Sequence, residues 1–594
     1  MKSFSLRDVA LGLLLISIVT IIPFLGLSEY HTKGEPRESI VSLSMIESGN
    51  WILPRNNGGE LAYKPPFFHW SVAALSLLNG GEVTEMTSRM PSAIALIAMV
   101  FFGFLFFAKR TSMGIALLAA FISLTNFELH RAGMNCRVDM VLTALTVGAL
   151  YAFYRWHEKG MHGVPWLAVL LMSLGTLTKG PVGSLIPCLV MGVFLLLRNV
   201  SFLRAFLWML ACGTLSLLLP LGWYVAAYQQ GGEEFLALVM EENFGRMTNT
   251  MSYESCVNPW YYNLITLVAG YVPWTLLLVF SLFTLPWRKC RVSLKPFQWW
   301  KWTTEKIRQM NSVDLFAATS IVIIFLFYCF PQSKRSVYLM PIYPFIAYFI
   351  ARCIFLWAEK KKWVIKAYGG TLAVVALLLF VCFLIVKLGL IPDTVFHGRH
   401  ADKNIQMLHA LQAVGGLSWL LIAIPTSLAV VWWIYSKHLV GNKALVLLVA
   451  LLMSIYLSLD GAYQPAVLNV KSVKGIAAEI NQVAPEEEGT LYEFISEGVF
   501  AAGDPLHFFE VNFYLRNRIG NFYKERPTDG FLLIRVDDVE KFFPQFEEEG
   551  YRFEKRYQSS KKVVGQIAEV YRFTKESASS PSSDRYIQNG ESGN

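Results

Sequence analysis

Charged residues are scarce in this chain: Asp, Glu, Lys and Arg make up 16% of its 594 residues, against 54% apolar and 14% aromatic. Soluble domains carry about a quarter charged residues, so a single soluble core is excluded. Cysteine is also sparse and unpaired in pattern. Five of the eight, Cys188, Cys212, Cys329, Cys353 and Cys382, lie in apolar stretches, and no CxxC spacing occurs. That excludes a disulfide framework and a zinc site of the usual spacing. Glycine-rich phosphate loops after a strand are missing, so no soluble nucleotide cofactor is implied. The alternating pattern of a membrane β-barrel is missing as well. The net charge of +9 is spread over short loops rather than gathered in a patch with interleaved aromatics, which excludes nucleic acid as a partner.

What the chain has instead is long apolar blocks. Crossing about 30 Å of hydrocarbon takes roughly 20 helical residues, and lipid tolerates only helices or closed barrels. Apolar windows predict thirteen spans, near 9–27, 89–107, 113–127, 138–154, 165–178, 182–197, 205–228, 262–284, 313–330, 337–356, 364–390, 416–437 and 443–459. The first resembles a signal peptide, with Lys2 and Arg7 ahead of it, but lacks a small-residue cleavage site and is kept as a span. With the N-terminus inside, basic residues fall in every inner loop: Lys109 and Arg110, Arg155 and Lys159, Arg198 and Arg204, then Arg288, Lys289, Arg291, Lys295, Lys301, Lys306 and Arg308, then Lys360, Lys361 and Lys362. The positive-inside rule is satisfied throughout.

The outer segments 28–88, 229–261 and everything after Asp460 are too long to be mere connections. Within the first, 39–46 and 67–78 read as helices lying at the interface. After Asp460 the composition turns globular. A helix at 473–483, strands at 490–494, 531–536, 551–557 and 564–573, and a helix at 537–546 predict a small outer α/β domain over 461–575. The Ser, Pro, Asn and Gly-rich segment 576–594 is expected to be disordered.

Ionisable residues gather at the outer helix ends. The first loop carries Gly34-Glu35-Pro36-Arg37-Glu38 and Tyr63-Lys64-Pro65-Pro66-Phe67-Phe68-His69-Trp70, a plausible site for a lipid-linked phosphate or else a solvated loop with aromatic anchors. Asp139 lies in Arg137-Val138-Asp139 at the mouth of the fourth span, as a functional acid or a helix cap. Lys179, in Thr178-Lys179-Gly180-Pro181, binds an anion or snorkels to the interface. Glu242 and Arg246 follow in the second outer loop, and Lys334, Arg335 and Tyr338 begin another helix. Arg37, Lys64, Lys179, Arg246, Lys334 and Arg335 all sit on the side where cations are normally depleted. A polyprenyl phosphate or diphosphate accounts for this, and the alternative is scattered counter-ions for Glu35, Asp139 and Glu242.

In this order the motifs resemble bacterial glycosyltransferase family 39: Glu35 through Gly49-Asn50-Trp51, Lys64-Pro65-Pro66, Arg137-Val138-Asp139, Thr178-Lys179-Gly180, Glu242 with Arg246, Trp260-Tyr261-Tyr262 and Lys334 to Tyr338. Within the family the likeness is nearest to the aminoarabinose transferases of lipid A and more distant to protein O-mannosyltransferases. The resemblance implies a GT-C fold: a transmembrane catalytic domain over 1–460 with a small outer domain. It implies an inner-membrane enzyme with its site facing the periplasm, moving a sugar with inversion from undecaprenyl phosphate to lipid A, a glycolipid or a protein. Glu35 and Asp139 are expected near the reaction centre, one as general base or sugar-orienting acid. Lys64, Arg246, Lys334 and Tyr338 are expected to hold the departing phosphate; Arg37, Lys179, Glu242 and Arg335 complete the expected binding set. This chain has Gly34-Glu35 where the aminoarabinose enzymes have an Asp-Glu pair, Tyr63 where they have Glu, and Asn243 where they have His. The last two changes remove metal ligands and argue against a tightly bound divalent metal. A flippase of lipid-linked sugars, or a polysaccharide polymerase or ligase, remains a competing expectation. Transporters tend to show internal repeats and polar breaks at mid-membrane, whereas the charged residues of this chain gather at the outer helix ends, a pattern that favours an enzyme over a flippase.

Overall fold

The computed structural model describes residues 5–242, 257–284, 306–307, 309–435, 438, 441–495 and 507–576. Arg246, Asn243, the inner-loop residues Arg288 to Lys301 and Arg308, and the tail from 577 lie outside them. The chain divides into two compact units, 1–54 with 61–472, and 55–60 with 473–594.

The first unit is helical. Its first half runs α1 Leu6–Ile21, α2 Gly34–Ser48, α3 Phe67–Leu78, α4 Glu85–Ala108, α5 Met113–Thr125, α6 Phe127–Gly133, α7 Val138–Glu158, α8 Trp166–Lys179, α9 Val182–Leu197 and α10 Phe202–Met240. The second half runs α11 Tyr262–Gly270, α12 Thr275–Leu282, α13 Ser312–Cys329, α14 Tyr343–Lys360, α15 Lys362–Lys387, α16 Ala401–Ala413, α17 Leu417–Tyr435, α18 Asn442–Ser458 and α19 Gln464–Asn469. Each of the thirteen sequence-predicted spans falls on a helix, but they are not equal. Among the described residues nine helices are long and apolar enough to cross a bilayer alone, and two bent pairs, α5 with α6 and α11 with α12, raise this to eleven. The remaining two spans, α8 and α9, have only 14 and 16 residues.

The breaks have local causes. Asn126 ends α5 with its backbone and caps α6 with its side chain, which accepts from Leu129 N at 3.0 Å, and the two helices meet at 66°. Gly180 and Pro181 stop α8, where Gly180 adopts a φ of 84°. The chain then turns straight into α9. A Cβ on Gly183 would lie 2.2 Å from the Gly175 carbonyl carbon, so α8 and α9 pack backbone to backbone. Within α10, Gly232 leaves the helical region (φ 56°, ψ −142°) and redirects the segment that ends at Glu242. A buried polar pair ties distant parts together, with His130 Nε2 of α6 2.7 Å from Asp460 Oδ2, in the turn that continues α18.

In the second unit a hairpin from the first outer loop, β1 Arg55–Asn56 and β2 starting at Glu60, joins the C-terminal residues. There follow α20 Lys474–Val483, β3 Leu491–Glu493, α21 Phe509–Tyr514, β4 Gly520–Asn521, α22 Phe522–Glu525, β5 Asp529–Arg535, α23 Val536–Glu548, β6 Tyr551–Gln558 and β7 Ala568–Lys575. The sheet order is β4-β3-β5-β7-β6, with β3 parallel to both neighbours and the β5, β7 and β6 pairings antiparallel. Alternation along β5 sorts the core. Phe531 and Leu533 pack with Ile476 and Ile480 of α20 and Val511 of α21, whereas Leu532 and Ile534 pack with Phe543 and Phe546 of α23. The last strand begins at Ala568 instead of 564 because Val563 to Gln566 close a tight turn through Gly565 at φ 84°.

The hairpin is held by buried polar groups. Asn512 donates from Nδ2 to Asn57 Oδ1 (2.9 Å) and Asn57 N donates to Asn517 Oδ1 (3.0 Å). His507 lies between Glu60, at 3.0 Å, and Glu493, which also accepts from Phe508 N at 3.0 Å. Burial disfavours an imidazolium, but these two carboxylates outweigh it and hold His507 up at about 10.

Candidate active site

A cavity of about 800 Å³, its open mouth included, is lined in the first unit by Arg37, Glu38, Tyr63, Lys64, Arg137, Asp139, Lys179, Tyr224, Glu242 and Arg335, among others. The lining groups arrive on several elements. Helix α2 supplies Arg37 and Glu38, and the extended stretch before α3 supplies Tyr63 and Lys64. Arg137 and Asp139 begin α7, Lys179 is the last residue of α8, and Glu242 follows the redirected end of α10. Indole hydrogen bonds fix the loop beneath them. Trp70 Nε1 donates to Trp51 O (2.7 Å) and Trp223 Nε1 to Ile52 O (3.0 Å).

Five cations and three carboxylates face one another here. Lys179 Nζ donates to Asp139 and lies 4.4 Å over the Tyr338 ring. Glu38 is divided between partners: Oε1 lies 3.0 Å from an Arg37 guanidinium nitrogen and 3.5 Å from Lys64 Nζ, while Oε2 lies 3.0 Å from His69 Nε2. Burial opposes ionisation of Glu38, yet Lys64, the His69 hydrogen bond and Arg37 hold its carboxyl well below the usual carboxylate range. Tyr63 donates a long hydrogen bond to Glu242 Oε2, 3.5 Å. Such a surplus of cations, in a cleft formed by helix ends, can hold an anion and stabilise charge that grows on a leaving group.

Of the sequence-predicted residues, Arg37, Lys64, Asp139, Lys179, Glu242 and Arg335 meet at this cavity. Three do not line it, and Arg246 lies outside the described residues. Glu35 is turned inward from α2: Arg89 donates to it from Nε (2.8 Å) and Nη2 (3.0 Å), and Cys136 N adds a third bond at 2.9 Å. Its carboxylate is consumed by these donors and does not reach the cavity, contrary to its expected place at the reaction centre. Lys334 is buried and donates from Nζ to Pro331 O at 2.6 Å, so it braces its own turn and does not line the cavity. Tyr338 stacks on Tyr328, with ring centres 5.4 Å apart, and supports Lys179 from behind.

Three residues with a part in the site were passed over in the sequence. Glu38 lies one helical turn after Glu35, and the i, i+3 spacing alone does not say which acid faces inward. His69 is buried in α3 against Glu38. Arg137 fills the room beside Gly34, where a Cβ would meet its guanidinium at 3.0 Å. Among the described residues no three His, Cys, Asp or Glu side chains converge to hold a metal ion.

A family model described as dolichyl-phosphate-mannose-protein mannosyltransferase matches residues 63–224. An uncharacterized protein of Aquifex aeolicus is 28% identical over 340 residues, 56% of this chain and 62% of that one. The undecaprenyl phosphate-alpha-4-amino-4-deoxy-L-arabinose arabinosyl transferase of Shewanella sediminis is 24% identical over 262 residues, 43% of this chain and 46% of that one. The chain thus spans under two thirds of the length of these curated relatives. The crystal structure of ArnT from Cupriavidus metallidurans bound to undecaprenyl phosphate matches with a TM-score of 0.68 at 16% identity, over 96% of this chain and 98% of that one. The chain is a polytopic membrane protein with the GT-C fold, and it resembles the aminoarabinose transferases and, more distantly, the mannosyltransferase family.

Proposed function

We propose that the chain is an inverting glycosyltransferase of the bacterial inner membrane, moving a sugar from an undecaprenyl-phosphate carrier to lipid A or another acceptor at the periplasmic face. The observation that carries this reading is the cavity itself, where Arg37, Lys64, Arg137, Lys179 and Arg335 converge on one open space. Relatives named as arabinosyl transferases of undecaprenyl-phosphate-linked aminoarabinose support the donor class.

The chemistry follows from the charges. The donor's phosphodiester carries one negative charge, and breaking its bond to the sugar leaves a monoester with a second. Cations already in place favour that change more than they favour the donor, which is where a rate gain arises. Asp139, anchored by Lys179, is then an acid at the sugar end of the site, and Glu35 acts from behind by fixing α2 through Arg89. Tyr63, Tyr224 and Val239 line the same space and give the sugar ring apolar surface.

The test is donor consumption by the purified full chain in liposomes, given radiolabelled undecaprenyl-phosphate aminoarabinose or hexose together with lipid A, glycolipid or membrane protein. Label reaching one acceptor class, and lost in Asp139→Asn, supports the reading and names the acceptor. Labelled carrier lipid that crosses the bilayer unconsumed would replace it with the flippase reading.

A further inference from the structure

We propose that Glu38 is the carboxylate that takes the proton from the acceptor hydroxyl, and that the donor's phosphate exposes it by drawing away Arg37 and Lys64. The inference rests on the transferase reading above and deepens it.

The two oxygens of Glu38 are treated differently. Oε2 is fixed by His69, whose Nε2 is 3.0 Å away and whose ring is buried in α3. Oε1 is covered by Arg37 and Lys64, both from the cavity wall, with side chains 46% and 31% exposed. The buried partner stays, whereas the exposed cations can turn toward an incoming phosphate that lies in the same cavity. The groups that act on Glu38 are Arg37 from its own helix, Lys64 from the segment before α3 and His69 from α3, and the buried Cys136 thiol, just before α7, also feels its charge. Glu242 lies beyond Arg37.

In the empty site the cations keep Glu38 ionised and weakly basic. Once the phosphate takes them, burial acts on Oε1 with less opposition, and the carboxylate becomes a better base while donor is bound. The acceptor oxygen then forms its bond to the sugar's anomeric carbon. The bond from that carbon to the phosphate oxygen breaks, its electron pair leaves with undecaprenyl phosphate, and the hydroxyl proton passes to Glu38 Oε1. Atoms and charge balance, with the proton released to water afterwards. His69 is a positioning residue: Nε2 holds Oε2, while Nδ1 is buried without a hydrogen-bond partner among the described residues.

The experiment compares native chain, Glu38→Gln, Glu38→Asp, His69→Phe and His69→Gln in liposomes, measuring undecaprenyl phosphate affinity and single-turnover transfer against pH. Glu38→Gln is expected to keep its affinity within about threefold and lose roughly 100-fold or more in transfer rate. His69→Phe removes a bond that favours the ionised carboxylate, so the acid limb of the rate profile moves to higher pH, and the amide of His69→Gln moves it back. Should Glu38→Gln fail to fold, Glu38→Asp keeps the charge, withdraws the oxygen by one methylene and is expected to lose about 10-fold in rate. Transfer near the native rate by either Glu38 variant, with affinity intact, overturns the inference and leaves the transferase reading standing. A native chain that binds no undecaprenyl phosphate and consumes no donor overturns both.

Discussion

Replacing Glu35 by Gln tests whether this acid is part of the frame or part of the chemistry. Arg89 and Glu35 are both 2% exposed by side chain, and the guanidinium also donates to Leu25 O (2.7 Å) and Ser28 O (2.6 Å). Glu35→Gln keeps the shape but leaves a buried arginine without its counter-charge, at a cost of about 3–5 kcal/mol. Removing both charges with Glu35→Gln and Arg89→Met recovers part of that, less about 1–3 kcal/mol for the two carbonyls left without donors. The assay is denaturant-induced unfolding in bicelles for the four chains of the cycle, with transfer measured per folded molecule. Burial works against ionisation of Glu35, but Arg89 holds its carboxyl below the usual carboxylate value. Its stabilisation is therefore present above the unfolded carboxylate pKa and is lost as pH falls through the lowered folded value. Glu35→Gln should flatten that acid limb of stability. A variant that unfolds like the native chain yet transfers nothing would refute the reasoning and return Glu35 to the reaction centre.

Lys64→Met and Lys179→Met should each weaken undecaprenyl phosphate binding by about 10- to 100-fold, the worth of one charge-assisted contact, with the loss shrinking at high salt. Equal affinity at low salt would take the phosphate away from these cations. Gly183→Ala should destabilise the bundle by several kcal/mol, since its methyl meets the Gly175 backbone at 2.2 Å; native-like unfolding would show that α8 and α9 can separate cheaply. His507 contributes stability that is full below its unfolded pKa near 6.5 and is lost as pH rises through about 10. Amide exchange over 473–576 should accelerate across that window in the native chain and show no such step in His507→Gln.

The sequence carried the helices far better than it carried the roles of individual acids. Helix α3 runs over 67–78 as its apolar window requires, and α20 and α23 follow from ordinary amphipathic spacing, whereas the short α21 and α22 were not foreseen. Four cavity residues, Arg37, Lys64, Lys179 and Arg335, were legible because cations at outer helix ends violate the topology rule, and Asp139 and Glu242 because acids at that depth are costly. Glu35 and Glu38 were not separable, because what sorts them is Arg89, 54 residues further on, at the start of a span whose apolar character masks it. Lys334 read as a ligand for the same reason in reverse: nothing in Gln332-Ser333-Lys334 announces that the ammonium folds back onto Pro331. Spans 165–178 and 182–197 were bounded almost to the residue on either side of Gly180 and Pro181, but counted as crossings although 14 and 16 helical residues fall short of the roughly 20 that a bilayer needs. The two-residue β4 and the hairpin at 55–60 have too few residues to show any period.

That hairpin also sets an order of assembly. Residues 55–60 leave the ribosome near the start of synthesis, yet their partners Asn512, Asn517 and His507 come roughly 450 residues later. Until then its asparagines and Glu60 must remain in water, and every helix between must be inserted with the correct hand before the last unit can close. A single misplaced span would put 473–576 on the wrong side of the bilayer from 55–60, so completion of the second unit reports on the topology of the whole chain. Proteolytic sensitivity of the 55–60 segment is a direct reading of that event in a cell.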